Sequence, residues 1–413
     1  MAAHPLTIKH GWVWALSIFI FFFNTFLLPE GFTYTLLLTP VWIYLLYLQG
    51  RLNLALILPV PFLLYAAVHL VLGVDVDHYL ISVTLMVALC TFLVAAGYYI
   101  NNKAVDLDFI FRDIAILNFL FTIAAIPLLF FPSLSHVTWY TVPISKAMIF
   151  PRLKLFTEEA SHYSFLIAPI VIYFYSRVLF FKTTNPILTL FIVSFPLALS
   201  FSLGVLSCIL ISGAVITVVY FGRVFSTFKR RSYVILITGL LAALFWAANR
   251  FYPGNPLFAR IHNIFNGEDT SARGRTYEAF ILANKVIAQK SFLWGIGPGQ
   301  LKIIGRNIII QYYSYFNIPK VIRIPNACAE TIVCFGYIGF SIRIIAELVL
   351  FFVTKVYTNP YRLWLFLFVF IYQFTGSYIT NVAEYIVWMI AFSPVFPEYT
   401  KRPTDHSLKT AML

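Results

Sequence analysis

Apolar stretches long enough to cross a bilayer recur from one end of this chain to the other, and they leave it little else to fold into. A span needs roughly 17 to 25 apolar residues, and about twelve stretches qualify. They centre near Ile18, Pro40, Leu63, Leu89, Phe121, Val171, Phe195, Ser212, Leu240, Ile342, Phe368 and Val387. Composition closes the alternative, because 61% hydrophobic against 11% charged residues is too little polar surface for a soluble globule. The expected fold is an all-α polytopic membrane protein with about twelve transmembrane helices and a long outer loop that contains amphipathic helices. The chain then divides into N-terminal spans (1–131), an outer loop (132–161), further spans (162–249), a large outer loop (250–325), C-terminal spans (326–397) and a tail (398–413).

Orientation follows from the basic residues of the short connections. Arg51, Lys103 with Arg112, Lys182, the Lys229-Arg230-Arg231 run, and Lys355 with Arg362 fall in alternate loops, which assigns those loops and both termini to the cytoplasm. Lys9 precedes an apolar run without a small-x-small cleavage site, so that run is read as a retained first span. The segment between Pro186 and Phe221 must make a hairpin interrupted near Ser200 to Gly204; as one tilted helix it would invert everything after it. Cys90, Cys208, Cys328 and Cys334 form no CxxC pair and sit in or beside apolar runs, so neither a disulfide framework nor a zinc site follows.

The outer loops break the rule that orients the chain. Lys146, Arg152 and Lys154 lie in one, and Arg250, Arg260, Arg273, Arg275, Lys285, Lys290, Lys302, Arg306, Lys320 and Arg323 in the other. Long loops cross a membrane whatever their charge, which makes such residues ordinary. The sharper reading is a polyanion at the membrane surface. Nucleic acid is excluded, since the net charge of +13 is scattered between apolar runs and forms no aromatic-interleaved basic domain. Between Arg250 and Arg275 every basic side chain apart from a histidine is arginine, whose planar fork suits a diphosphate. Downstream of Arg273 and Arg275, the run TYEAFILANKVIAQK places Phe280, Ile281, Ala283, Val286 and Ile287 at roughly helical spacing. That predicts a helix lying on the membrane plane with both arginines at one end. Gly295-Ile-Gly297-Pro-Gly299 follows, a pattern that alone is more often a turn than a phosphate cradle.

The order Arg, amphipathic helix, W-G-x-G-x-G, basic passage, Pro325-Asn326-Ala-Cys-Ala-Glu330, then Gly336-Tyr-Ile-Gly339 resembles the O-antigen polymerase and ligase superfamily. Asn326, Glu330, Gly336 and Gly339 fall at the spacing of its HN-x-x-L-[QE]…G-x-[IV]-G pattern. Arg152 through Glu158-Glu159-Ala-Ser161-His162 is similar to its R…[TS]xE[PA]S segment, and Gly376-Ser377-Tyr-Ile-Thr380-Asn381 with Glu384 resembles a third, looser one. The likeness covers about residues 145 to 395. Pro325 stands where the ligases carry their proposed basic histidine, which favours a polymerase.

The resemblance implies an inverting transfer without metal or other cofactor. A hydroxyl of a lipid-linked repeat unit attacks the anomeric carbon of a glycan on undecaprenyl diphosphate, at the periplasmic face of a bacterial inner membrane. Membrane lipids and a chain-length regulator are the further expected partners. Arg152, Arg273 and Arg275, with Arg323 in reserve, are assigned to the diphosphate, and Gly297, Gly299 and Asn326 to the substrate-binding loop and acceptor. Glu159, His162 and Glu330 are the candidate bases at the outer ends of spans. Each has a plainer reading: Glu330 as a helix-start carboxylate, Glu158, Glu159 and Ser161 as a cap, His162 as an interfacial histidine. Arg343 and Glu347, four apart, fit a structural pair. Arg273→Ala and Arg275→Ala are expected to abolish chain extension, and Lys290→Ala to be mild.

Two rival functions share the composition. A flippase of lipid-linked precursor should show internal repeats and ionisable groups near the bilayer midplane, and no repeat is visible. A metal-dependent polyprenyl-phosphate glycosyltransferase would use an acidic pair such as Asp75-Val-Asp77-His78, though a short Asp-rich turn is common loop chemistry.

Overall fold

The computed structural model describes residues 11–29, 31–102, 106–141, 151–181, 183–226, 246, 250, 256–313 and 322–400. The span near Leu240, the Lys229-Arg231 cluster, Lys9, Lys103, Lys146, Lys182 and Lys320 lie outside the described residues. In chain order the principal helices are α1 (Gly11–Phe23), α2 (Thr39–Leu48), α3 (Pro59–Val71), α4 (Val76–Asn101), α5 (Leu107–Leu128), α6 (Ala160–Phe180), α7 (Pro186–Leu199) and α8 (Leu203–Val219). They continue as α9 (Pro256–Phe265), α10 (Thr270–Arg275), α11 (Tyr277–Ile287), α12 (Ile304–Tyr313), α13 (Ala327–Val353), α14 (Pro360–Tyr372) and α15 (Val382–Phe392). The only sheet among the described residues is an antiparallel ladder of β1 (Trp139–Tyr140) and β2 (Arg152–Leu153).

Five helices among the described residues are long and apolar enough to cross a membrane: Leu52–Val71, whose second part is α3, then α4, α5, α6 and α13. Six shorter apolar helices of 10–17 residues hold the centres near Ile18, Pro40, Phe195, Ser212, Phe368 and Val387. At about 1.5 Å per residue these fall short of a bilayer's ~30 Å hydrocarbon core. Local chemistry sets the boundaries. Asp75, Asp106, Asn326, Asn359 and Asn381 each precede a helix and accept a hydrogen bond from a backbone N–H of its first turn. Between Pro186 and Phe221 there are two helices, separated at Ser200–Ser202, where Phe201 adopts a left-handed φ of 44°.

Helix α6 is the axis of the bundle. Its most apolar window is 72% buried, against 22% to 39% for the other four long helices, whose outward side chains are apolar as a lipid-facing surface requires. Tyr163, Phe165 and Tyr173 of α6 pack into one core with Tyr361 and Phe368 of α14.

Helix α13 is broken. Gly336 has φ 66° and ψ −170°, and the segment before α12 is threaded into the gap. Val333 and Cys334, whose carbonyls end the first half, accept from Ile296 N–H (2.8 Å) and Gly297 N–H (3.1 Å). Tyr337 and Ile338, which start the second half, donate to the carbonyls of Phe292 (3.0 Å) and Leu293 (3.1 Å). Every backbone group freed at such a break must find a partner, and here the inserted loop supplies four while the Tyr65 hydroxyl of α3 donates to the Phe335 carbonyl at 2.6 Å. The two glycine motifs are therefore the two sides of one joint. A Cβ on Gly295 would stand 2.6 Å from Gly336 N, and one on Gly336 would overlap the Leu293 carbonyl.

Arg343, in the second half of α13, anchors a buried polar network. Its Nε donates to Glu347 Oε1 (3.1 Å) and Gln373 Oε1 (3.0 Å), one terminal nitrogen reaches Thr331 Oγ1 (3.2 Å), and the other binds Glu384 Oε1. The expected Arg343–Glu347 pair is present and tied further to α14 and α15, joining both halves of α13 to its neighbours.

Candidate active site

A polar cavity of about 520 Å³ opens where the ends of several helices meet. Glu158, Glu159, Ser161 and His162 reach it from the start of α6, Arg275 from the end of α10, and Arg323 and Pro325 from the approach to α13. Tyr140, Ser377, Tyr378, Thr380 and Asn381 complete much of the wall, with Asn24, Thr25 and Thr33 contributed from beyond α1. Three of the sequence's separated motifs thus converge on one space.

The carboxylate and guanidinium groups face each other at its centre. Arg275 stands 4.0 Å from Glu159 Oε2, the same oxygen that accepts from Ser161 Oγ at 3.0 Å. Glu159 occupies the position before α6 but makes no side-chain cap, and its side chain is 45% exposed. That leaves the carboxylate turned to the cavity instead of spent on the helix end. The guanidinium of Arg323 lies over the Tyr378 ring, 5.1 Å from its centroid. Burial, then the nearby Glu159 carboxylate, push the Tyr378 phenol above its ordinary range, so it is a neutral hydroxyl in the wall.

Arg152 sits one layer back. The β1–β2 register sets it opposite Tyr140, and its guanidinium lies 4.9 Å from the centroid of that ring. Its buried Nε has no hydrogen-bond partner. Burial, and next Arg260, lower its pKa from the usual arginine value. The guanidinium is thus held mainly by a ring face and left with an unbonded buried N–H, while its neighbours Arg260 and Arg275 are paired with Asp269 and Glu159.

Arg273 behaves differently. Its Nε donates to Glu278 Oε1 (2.7 Å) and one terminal nitrogen to the Gly267 carbonyl (3.3 Å), and it does not line the cavity. The partner carboxylate is 2% exposed and needs that cation. Arg273 is thus the counter-ion of a buried carboxylate, two residues from an arginine that lines the cavity beside Glu159.

Asn326, fully buried, is a strut. Its Oδ1 accepts from Ala329 N–H (2.8 Å), and its Nδ2 donates to the carbonyls of Arg275 (2.8 Å) and Phe374 (2.6 Å). It fixes the backbone of Arg275 against α13 and the turn after α14, leaving no group for a substrate. Glu330 also stays outside the cavity lining, with Oε2 accepting from Ile379 N–H at 2.8 Å, which braces the Ser377–Asn381 turn. Gly297 and Gly299, expected in a substrate loop, do not line the cavity either. Gly297 packs on His69 and Val74, and a Cβ at Gly299, where φ is 76°, would overlap the His78 carbonyl. Gln300 locks this turn to the start of α4 through reciprocal 3.0 Å bonds with the Asp75 backbone. Of the acidic pair Asp75 and Asp77, Asp75 is engaged: it caps α4 and bonds His78 Nδ1 at 2.9 Å.

Helix α11 corrects another expectation. Its buried face is Ala279, Leu282, Ala283, Val286 and Ile287, while Ile281 is 40% exposed. That i, i+3, i+4, i+7, i+8 set packs with Ile296, Ile309, Ile324 and Val333, so the apolar stripe is covered by protein and not by a membrane plane. Tyr140, Tyr378 and Asn24 were not singled out in sequence. The one available signal for Asn24 was a polar Asn-Thr step ending an otherwise apolar run.

No family model matches the chain, and no curated protein is significantly similar to it.

Proposed function

We propose that this protein is a membrane-embedded glycosyltransferase that extends a polysaccharide, moving a glycan from undecaprenyl diphosphate to a hydroxyl of a lipid-linked repeat unit. The observation that carries the reading is the polar cavity itself, which brings Arg275 and Arg323 together with Glu159 and His162 at the ends of apolar helices. Glu159 accepts the acceptor's proton as its oxygen attacks the anomeric carbon. The bond to the diphosphate breaks with inversion, and the negative charge that develops on the leaving group is met by Arg275 and Arg323, with Arg152 behind them. Because the diphosphate leaves readily, positioning and charge carry most of the rate. Tyrosine and small polar walls suit sugar rings, which offer both apolar faces and hydroxyls. In this reading the cavity faces the periplasm of a bacterial inner membrane.

A flippase reading draws on the broken α13 and the buried Arg343, Glu347 and Glu384. None of those three lines the cavity, and they are bonded chiefly to one another and Gln373, which favours the enzyme. Deleting the gene and resolving surface polysaccharide on a gel tests the proposal. Loss of a polymerase leaves a core bearing one repeat unit, loss of a ligase leaves bare core, and unchanged banding overturns both. Transfer by purified protein in detergent, where no compartments exist, separates an enzyme from a flippase.

A further inference from the structure

We infer that the isoprene units nearest the diphosphate of the donor lipid are held inside the helical bundle, in an apolar cavity that adjoins the polar one and shares lining residues with it. The inference rests on the proposed function and adds to it a second half of the substrate site. Asn24 and Ala383 line both the polar cavity and a narrower one of about 190 Å³ that runs between α1, α4, α5, α6 and α15. On α6 the handover falls between consecutive residues, with Phe165 facing the first cavity and Leu166 the second. Along α1 the lining extends from Asn24 back to Trp12, about 18 Å at the helical rise, and Trp12 is 40% exposed at the far end.

The chemistry changes abruptly across that junction. Arg275, Arg323 and Glu159 give way to side chains such as Ile20, Phe92, Ile170 and Ile390. Ser17, one of the few polar residues in the second wall, gives its hydroxyl to the Val13 carbonyl at 2.7 Å. A cavity so lined offers water too few partners to be well filled by it. A water-soluble sugar donor or a bare phosphate would leave this space unused. A polar chamber holding Arg275 and Arg323, set beside an apolar one, matches a single amphiphile with an anionic head and a hydrocarbon chain. Under the proposed reaction that amphiphile is the prenyl diphosphate, whose charged end must stay at Arg275 while the sugar departs.

The test uses the purified full-length protein in nanodiscs and an undecaprenyl diphosphate analogue with a photoreactive group on its chain close to the diphosphate. Labelled peptides should map to α1, α6 and α15. Undecaprenyl diphosphate should compete at least about tenfold better than geranyl diphosphate, since each further buried carbon adds apolar contact. Ala96→Phe, which fills the cavity one turn from Phe92, should erase that preference while geranyl diphosphate binds as before. The label map on the unchanged protein decides the matter if the variant does not fold. Labels confined to outward faces of α3 or α7, equal competition by the two prenyl lengths, or equal competition by phosphatidylglycerol would each overturn the inference. Labelling retained in a protein that transfers no glycan would sink the enzyme reading alone, and transfer without such labelling would sink only the chain seat.

Discussion

The cavity around Arg275 and the joint around Gly336 are built from motifs of similar appearance, yet they use their polar groups in opposite ways. At the joint, the backbone groups of the interrupted helix are paired with the inserted loop and the Tyr65 hydroxyl, and glycine is required because backbone meets backbone. In the cavity, a carboxylate and a guanidinium stand 4.0 Å apart and open to a volume large enough for a ligand. A motif rich in glycine or charge thus carries no chemistry by itself. What separates structure from site is whether the fold has already satisfied the polar groups.

That contrast can be broken or sharpened by substitution. The largest effect is expected at the joint. Gly336→Ala should yield no monodisperse protein in size-exclusion chromatography, because the left-handed backbone and the overlap with Leu293 together cost about 3 kcal/mol or more; normal yield would remove the packing role given to this glycine. In the cavity, Glu159→Gln should lower glycan transfer by about 10²- to 10⁴-fold while the melting temperature is kept, and an unchanged rate would end its assignment as base. Arg275→Ala should cost transfer about 10²- to 10³-fold with the fold intact. Arg273→Ala should instead lower thermal stability, because it strands Glu278, and the added change Glu278→Gln should recover it. Equal losses of transfer from the two arginines, without a stability difference, would erase the distinction drawn between them. Asn326→Ala should destabilise by about 1–3 kcal/mol, through the carbonyls of Arg275 and Phe374 left unpaired, and slow transfer by misplacing Arg275. The smallest change is expected for Lys290→Ala, which loses hydrogen bonds to the Gly73 and Ile296 carbonyls worth about 1 kcal/mol, measured as a small drop in melting temperature.

Much of the scaffold was readable in advance because it depends on local pattern. Length and apolarity placed a helix at each expected span that falls within the described residues, although only five of those helices are long enough to cross a membrane. The i, i+4 spacing was enough for Arg343 and Glu347, since both lie on one helix face. The site was readable only in part. Arg273 and Arg275 look alike in sequence, and what parts them is a partner five residues away for one and, for the other, a carboxylate brought in from the start of α6. Asn326 and Glu330 have the residue types of a binding site, but the Ser377–Asn381 turn and the end of α14 consume them. Helix α11 shows the same limit, since periodicity revealed an apolar stripe without saying what would cover it.

The interruption of α13 also constrains how the chain is assembled. The residues that plug the gap, Phe292 to Gly297, are synthesised before the helix they complete. The downstream half of that helix lacks acceptors for its first amides until the earlier segment has arrived and turned. Exchanging either portion alone between related proteins would therefore leave an unclosed seam, whereas moving both as one cassette should preserve it.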